Sequence, residues 1–138
     1  MKLLPLFLMC CALSAGAVER VSVCFNYGCL AQSEVEISDE RLAEIGRLLK
    51  VAGDAESERK AISTAVGRML AWAGEQSPIR ADRGGNYADE GVYGRMDCID
   101  HSTTTTRLLR LIEGKGMLRF HHVLDPALRR RLLLFEHY

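Results

Sequence analysis

From Val21 to Phe25 apolar and small residues alternate, with β-branched side chains among them, and this period of two predicts a short strand. Gly28 ends it, and Val35-Glu36-Ile37 predicts either a second strand pairing back or an extended lead into a helix. The period then lengthens. Ser38 suits an N-cap, Asp39 and Glu40 follow in the first turn, and Leu42, Ile45, Leu48 and Leu49 share one helical face, predicting an amphipathic helix that ends at Gly53. Asp54 opens a second helix, with Glu56 and Glu58 early and the stripe Ile62, Ala65, Val66, Met69, Leu70 and Ala73 facing a core; Gly74 and Ser77-Pro78 stop it. Pro78 to Met96 reads as a polar, Gly-rich loop, about as long as compact domains tolerate without function or disorder.

A third helix is predicted from Cys98, with Asp97 as N-cap and Asp100 in the first turn. Thr103 to Thr106 are poor helix formers, so the pattern rests on its second half, Arg107 to Ile112. Gly114-Lys115-Gly116 closes the helix, Met117 to Leu124 predicts a strand, and Asp125-Pro126 breaks it. Arg129-Arg130-Arg131 reads as a solvated turn or strand edge, and Leu132 to Tyr138 as a last apolar strand. The expected fold class is α+β, helices packed on a small antiparallel sheet, with residues 18–138 forming one small domain.

The start of the chain changes this picture. Lys2, the apolar run Leu3 to Leu13, and Ala15 and Ala17 at small-residue positions predict a secretory signal peptide over residues 1–17. The expected protein is exported to a periplasmic or extracellular space, with no membrane segment after cleavage. Charge is balanced, with 18 Lys and Arg against 18 Asp and Glu, and no basic excess points to nucleic acid. Cys24, Cys29 and Cys98 follow the leader, and an oxidising compartment then favours a disulfide between Cys24 and Cys29 around the turn Phe25-Asn26-Tyr27-Gly28. Cys98 is left as the free thiol.

A thiolate at the first position of a helix is stabilised by the dipole and by free N–H groups, while Asp97 and Asp100 oppose it by like charge. A thiol nucleophile also needs a base and a group that orients the base. His121 and His122 on one predicted strand and His137 on the next are the candidates; His121 and His122 would point to opposite strand faces. His101, one helical turn from Cys98, is close enough to act electrostatically, but a local helix neighbour seldom has the geometry for proton transfer. Two metal readings are weaker: a site of Cys98 with His121 or His122 and Asp125, and a calcium site of Asp82, Asp89 and Glu90, which lack the regular loop spacing. No metal and no cofactor are expected.

The element order, and Gly94-Arg95-Met96-Asp97-Cys98-Ile99-Asp100 at a helix start, resemble the papain-like superfamily and in particular the bacterial transglutaminase-like cysteine peptidases. The resemblance spans roughly Gly94 to Tyr138. It implies that Cys98 is the nucleophile and His137 the base, that peptide or cell-wall-type amides are the substrates, and that an orienting Asp or Asn follows on the next strand. That strand would lie past Tyr138, so either the sequence is a truncated domain, or another acid substitutes, or the resemblance misleads, and low activity or none is expected. The competing expectation is a non-catalytic secreted binding or interaction module in which Cys98 is packed.

Overall fold

The computed structural model describes residues 18–85 and 89–127, together with the backbone of the short strands 129–131 and 135–137. The signal peptide expected over residues 1–17 lies outside the described residues, as do the side chain of His137 and all of Tyr138.

The protein is α+β. Strands β1 (Val18–Phe25) and β2 (Ala31–Ser38) form an antiparallel hairpin in which Val21 pairs with Val35 and Phe25 with Ala31. Of the two readings of Val35 to Ile37, the pairing strand is the one adopted. The buried Val21, Val23 and Phe25 of β1 and Val35 and Ile37 of β2 supply the sheet's part of the core. Helices α1 (Asp39–Lys50) and α2 (Ala55–Gln76) follow. Ser38 caps α1 through its side chain, and Asp54 caps α2 in a reciprocal box with Ser57. The α1 helix ends at Lys50, three residues short of Gly53, because Val51 takes the cap. Leu42, Ile45 and Leu49 of α1 meet Ala61, Ala65, Met69 and Ala73 of α2 in one cluster, the small α2 residues allowing close approach. A 3-10 turn (Pro78–Ala81) opens the segment expected to be wholly loop.

Helix α3 (Cys98–Gly114) runs without interruption through the four threonines. It lies along the free edge of β1, where Thr104 Oγ1 accepts the Cys24 N–H at 2.9 Å and Arg107 donates to the Ser22 carbonyl at 3.0 Å. Thr104 is fully buried. A helix that covers a sheet edge must satisfy the edge's unpaired backbone groups, and a threonine at this position does so. The strand expected over Met117 to Leu124 is absent, and the segment is irregular. The consecutive N–H groups of Arg119 and Phe120 both donate to the Glu58 carboxylate, and that of Val123 to Glu113, which removes the donors a strand ladder would use. Strands β3 (Arg129–Arg131) and β4 (Phe135–His137) form a second antiparallel hairpin. Among the described residues no helix is long and apolar enough to cross a membrane.

Candidate active site at the start of helix α3

Asn26, Tyr27, Gly28 and Cys29 all have left-handed backbone, with φ of 67°, 64°, 62° and 58°. Three of them carry side chains that disfavour this region by roughly 1–2 kcal/mol each, so the turn needs external support. It has two supports. The Cys24–Cys29 disulfide closes it, with Cα atoms 4.7 Å apart. The other is the mouth of α3: Tyr27 and Cys29 N–H donate to Asp100 at 2.8 and 2.7 Å, Gly28 N–H donates to Asp97 at 2.9 Å, and Asn26 N–H to the Arg95 carbonyl at 2.7 Å. Successive left-handed residues turn their N–H groups the same way, which makes a concave anion site, and here the protein's own carboxylates fill it.

The same two aspartates cap α3. Asp97 Oδ1 accepts the Ile99 and Asp100 N–H groups, and Asp100 Oδ2 accepts the Asp97 N–H. Burial pushes the Asp100 carboxyl above its ordinary value, against the pull of the backbone N–H groups of Asp97, Cys29 and Tyr27. Cys98 stands between these residues, free and exposed. The packed Cys98 of the binding-module expectation is therefore not what the structure shows: the carboxylates on either side turn inward to the disulfide loop, which leaves the side chain between them facing out.

The histidine on the same helix is paired with a carboxylate. His101, one turn along α3, places Nε2 2.9 Å from Asp82 Oδ2, and Asp82 Oδ1 accepts the Met96 N–H at 2.7 Å. The buried Asp89 accepts from the Tyr27 hydroxyl at 3.1 Å and from the Arg83 N–H at 3.3 Å. Burial pushes Asp89 upward, but these donors and the Arg95 charge outweigh it and hold it below the usual aspartate value. Tyr27 is pushed up by burial and by Asp89. A cavity of about 400 Å³ opens beside the histidine, lined by Leu70, Ile79, Met96, Arg80, Asp82 and His101 among others.

His121 and His122, two of the other candidate bases, are elsewhere. His121 and His122 follow the far end of α3, which at about 1.5 Å per residue rises roughly 25 Å from Cys98. His121 Nδ1 lies 2.8 Å from Glu58 Oε2 at the start of α2, and the exposed His122 lies 3.5 Å from Glu113. Neither is brought to Cys98, and the metal site that would join Cys98 to one of them and to Asp125 is not assembled. Asp125 instead pairs with Arg110. Asp82 and Asp89, taken above as calcium ligands, have their oxygens engaged by protein donors. Cys24, Cys29 and Asp100 do cluster within metal-ligand distance, yet both sulfurs are in the disulfide and cannot act as thiolates. No family model, no curated protein and no solved structure matches the chain.

Two parts of the site escaped the sequence. The clasp between the disulfide turn and the two aspartates joins segments some 70 residues apart, and no local pattern announces it. Asp82 had a signal only through His101, whose spacing of three from Cys98 put both on one helix face.

Proposed function

We propose that the protein is an exported thiol-dependent amide hydrolase or acyl transferase of the transglutaminase-like type, with Cys98 as nucleophile. The observation that carries this reading is a free, exposed thiol on the first residue of α3, flanked by two carboxylates that are each neutralised by backbone N–H donors. That arrangement removes much of the like-charge opposition that the sequence alone leaves standing. In the reaction, the Cys98 sulfur attacks an amide carbonyl carbon, the amine leaves after receiving a proton from an imidazole, and the acyl-thioester is resolved by water or a second amine. The resemblance assigns the imidazole to His137 on β4. Peptide or cell-wall-type amides are the substrate class, and the disulfide supports an oxidising compartment.

The test is incubation of the protein with a casein-type polypeptide and a fluorescent primary amine, with polypeptide cleavage and amine incorporation both measured. Either activity in the wild type, lost at least 100-fold in Cys98→Ser, supports the reading. Undiminished activity in Cys98→Ser, or none of either kind in the wild type, overturns it.

A further inference from the structure

We infer that the Cys24–Cys29 disulfide is a thiol–disulfide exchange site, with Cys29 as the sulfur that an incoming dithiol attacks and Cys24 as the leaving thiolate. This is an activity separate from the one proposed for Cys98 and does not depend on it. Exchange needs one sulfur within reach of a nucleophile and a partner sulfur that departs readily as an anion. The two cysteines differ in that sense. Cys29 is half-buried between the exposed Gly28 and Leu30 at the tip of the β1–β2 hairpin, whereas Cys24 is fully buried. Arg107 Nη1 stands 3.4 Å from the Cys24 sulfur, and a guanidinium there stabilises a thiolate. The same nitrogen donates to the Ser22 carbonyl and to Gln32 Oε1, both at 3.0 Å, so the cation is fixed beside that sulfur by neutral acceptors.

Helix α3 holds both ends of the pair independently of the bond between the sulfurs. Cys24 N–H donates to Thr104 Oγ1 at 2.9 Å and Cys29 N–H to Asp100 Oδ1 at 2.7 Å, and both acceptors are buried. Breaking the disulfide therefore leaves the two thiols close together, ready to close again. The opposing charge is Asp100, which has an oxygen within 4.8 Å of both sulfurs. Its charge is shared among the N–H groups of Tyr27, Cys29 and Asp97, which weakens its repulsion of a thiolate. In the step, one thiolate of the incoming dithiol attacks Cys29 Sγ, the bond to Cys24 breaks, and its electron pair leaves on Cys24. The second thiolate then attacks the dithiol's own sulfur in the mixed disulfide, and Cys29 leaves in turn. The dithiol is oxidised to a disulfide and gives up two protons, and Cys24 and Cys29 are reduced and take up two. An incoming disulfide such as oxidised glutathione reverses the sequence.

Reduction by dithiothreitol at neutral pH reads this directly. Samples are quenched with N-ethylmaleimide and scored by mass spectrometry on the tryptic peptide Val21 to Arg41, which holds Cys24 and Cys29 but not Cys98. The native disulfide is expected to react at least as fast as that of the urea-unfolded chain. Arg107→Leu is expected to slow the native reaction about fivefold and to leave the unfolded rate unchanged, with Arg107→Lys recovering most of the loss. Gln32→Leu, which removes one of the bonds to Arg107 but keeps the cation, is expected to react at the wild-type rate. A native disulfide reduced roughly tenfold or more slowly than the unfolded one is a structural closure and overturns the inference. So does a wild-type rate in Arg107→Leu, or equal slowing in Gln32→Leu, which would trace the effect to packing. Because none of these readings involves Cys98, they stand or fall apart from the acyl-transfer reaction.

Discussion

The Cys29 N–H donates to Asp100 Oδ1 at 2.7 Å, so the residue that closes the disulfide is fastened to the turn that opens α3. The buried Asp100 carboxylate also accepts from Tyr27 and Asp97. Asp100→Ala leaves these donors without their acceptor, and stability is expected to fall by roughly 2–4 kcal/mol in urea unfolding. The pH dependence has a definite sign. Burial raises the folded-state value above the ordinary 3.8, so across the window above 3.8 the native state binds more protons than the unfolded one. This group's contribution therefore falls as pH rises through that window. Asp100→Asn should abolish that component, and a urea midpoint that keeps its wild-type slope in the variant would contradict the assignment.

Replacing Cys24 and Cys29 by serine tests how far the turn depends on its covalent closure. A loop this short is expected to contribute about 2 kcal/mol through the entropy of the unfolded chain. The local effect should exceed the global one. Four consecutive left-handed residues lose one of their two supports, so hydrogen exchange at the Tyr27, Gly28 and Cys29 amides should accelerate while that of the β1–β2 ladder stays slow. Uniform acceleration across the ladder would mean that the disulfide holds the whole hairpin rather than its turn.

What could be read from the sequence and what could not divide by the distance over which residues act. Ser38, Asp54 and Asp97 cap helices through neighbours two or three positions away, and each of these starts was legible. The pairing of Cys24 with Cys29 was legible for the same reason. The strand expected at Met117 to Leu124 failed because its apolar spacing was real while its backbone donors were claimed by Glu58, about 60 residues earlier. A buried glutamate in the first turn of a helix looks like any solvated one until its partners are known. The candidate site shows the same division: Cys98 and its helix position were readable, whereas Asp82, which approaches His101 from the far side of a long loop, was not.

Gly94 is the position where the loop can tolerate no other residue. Its φ is +99°, its N–H donates to Asn26 Oδ1 at 2.9 Å, and a Cβ built there would stand 2.1 Å from the Pro78 carbonyl oxygen. Gly91, with φ of +78°, has open space around the same point. Gly91→Ala is expected to cost about 1 kcal/mol from backbone strain alone, and Gly94→Ala about 3 kcal/mol or more, because a backbone carbonyl must also move. Thermal unfolding of the two variants side by side isolates the contact. Equal losses would show that Pro78 yields to the methyl group.

Glu58 is fully buried and binds Arg119 N–H at 2.7 Å, Phe120 N–H at 2.8 Å and His121 Nδ1 at 2.8 Å, pinning the segment after α3 against the start of α2. Burial alone would raise its carboxyl, but those hydrogen bonds and the His121 charge outweigh it and hold the group below the ordinary glutamate value of 4.5. The sign is the reverse of that at Asp100. Here the unfolded chain binds more protons in the window below 4.5, so the stabilisation is present above it and is lost as pH falls through the folded-state value. Glu58→Gln is expected to flatten the acid limb of the urea midpoint and to leave the segment held by fewer bonds. Trypsin should then cut after Arg119 at least several-fold faster at neutral pH, with the α1 and α2 fragments released at their former rate. A variant that keeps the wild-type acid limb and resists cleavage would show that packing of Met117 and Leu118 on the core, and not the carboxylate, holds the segment in place.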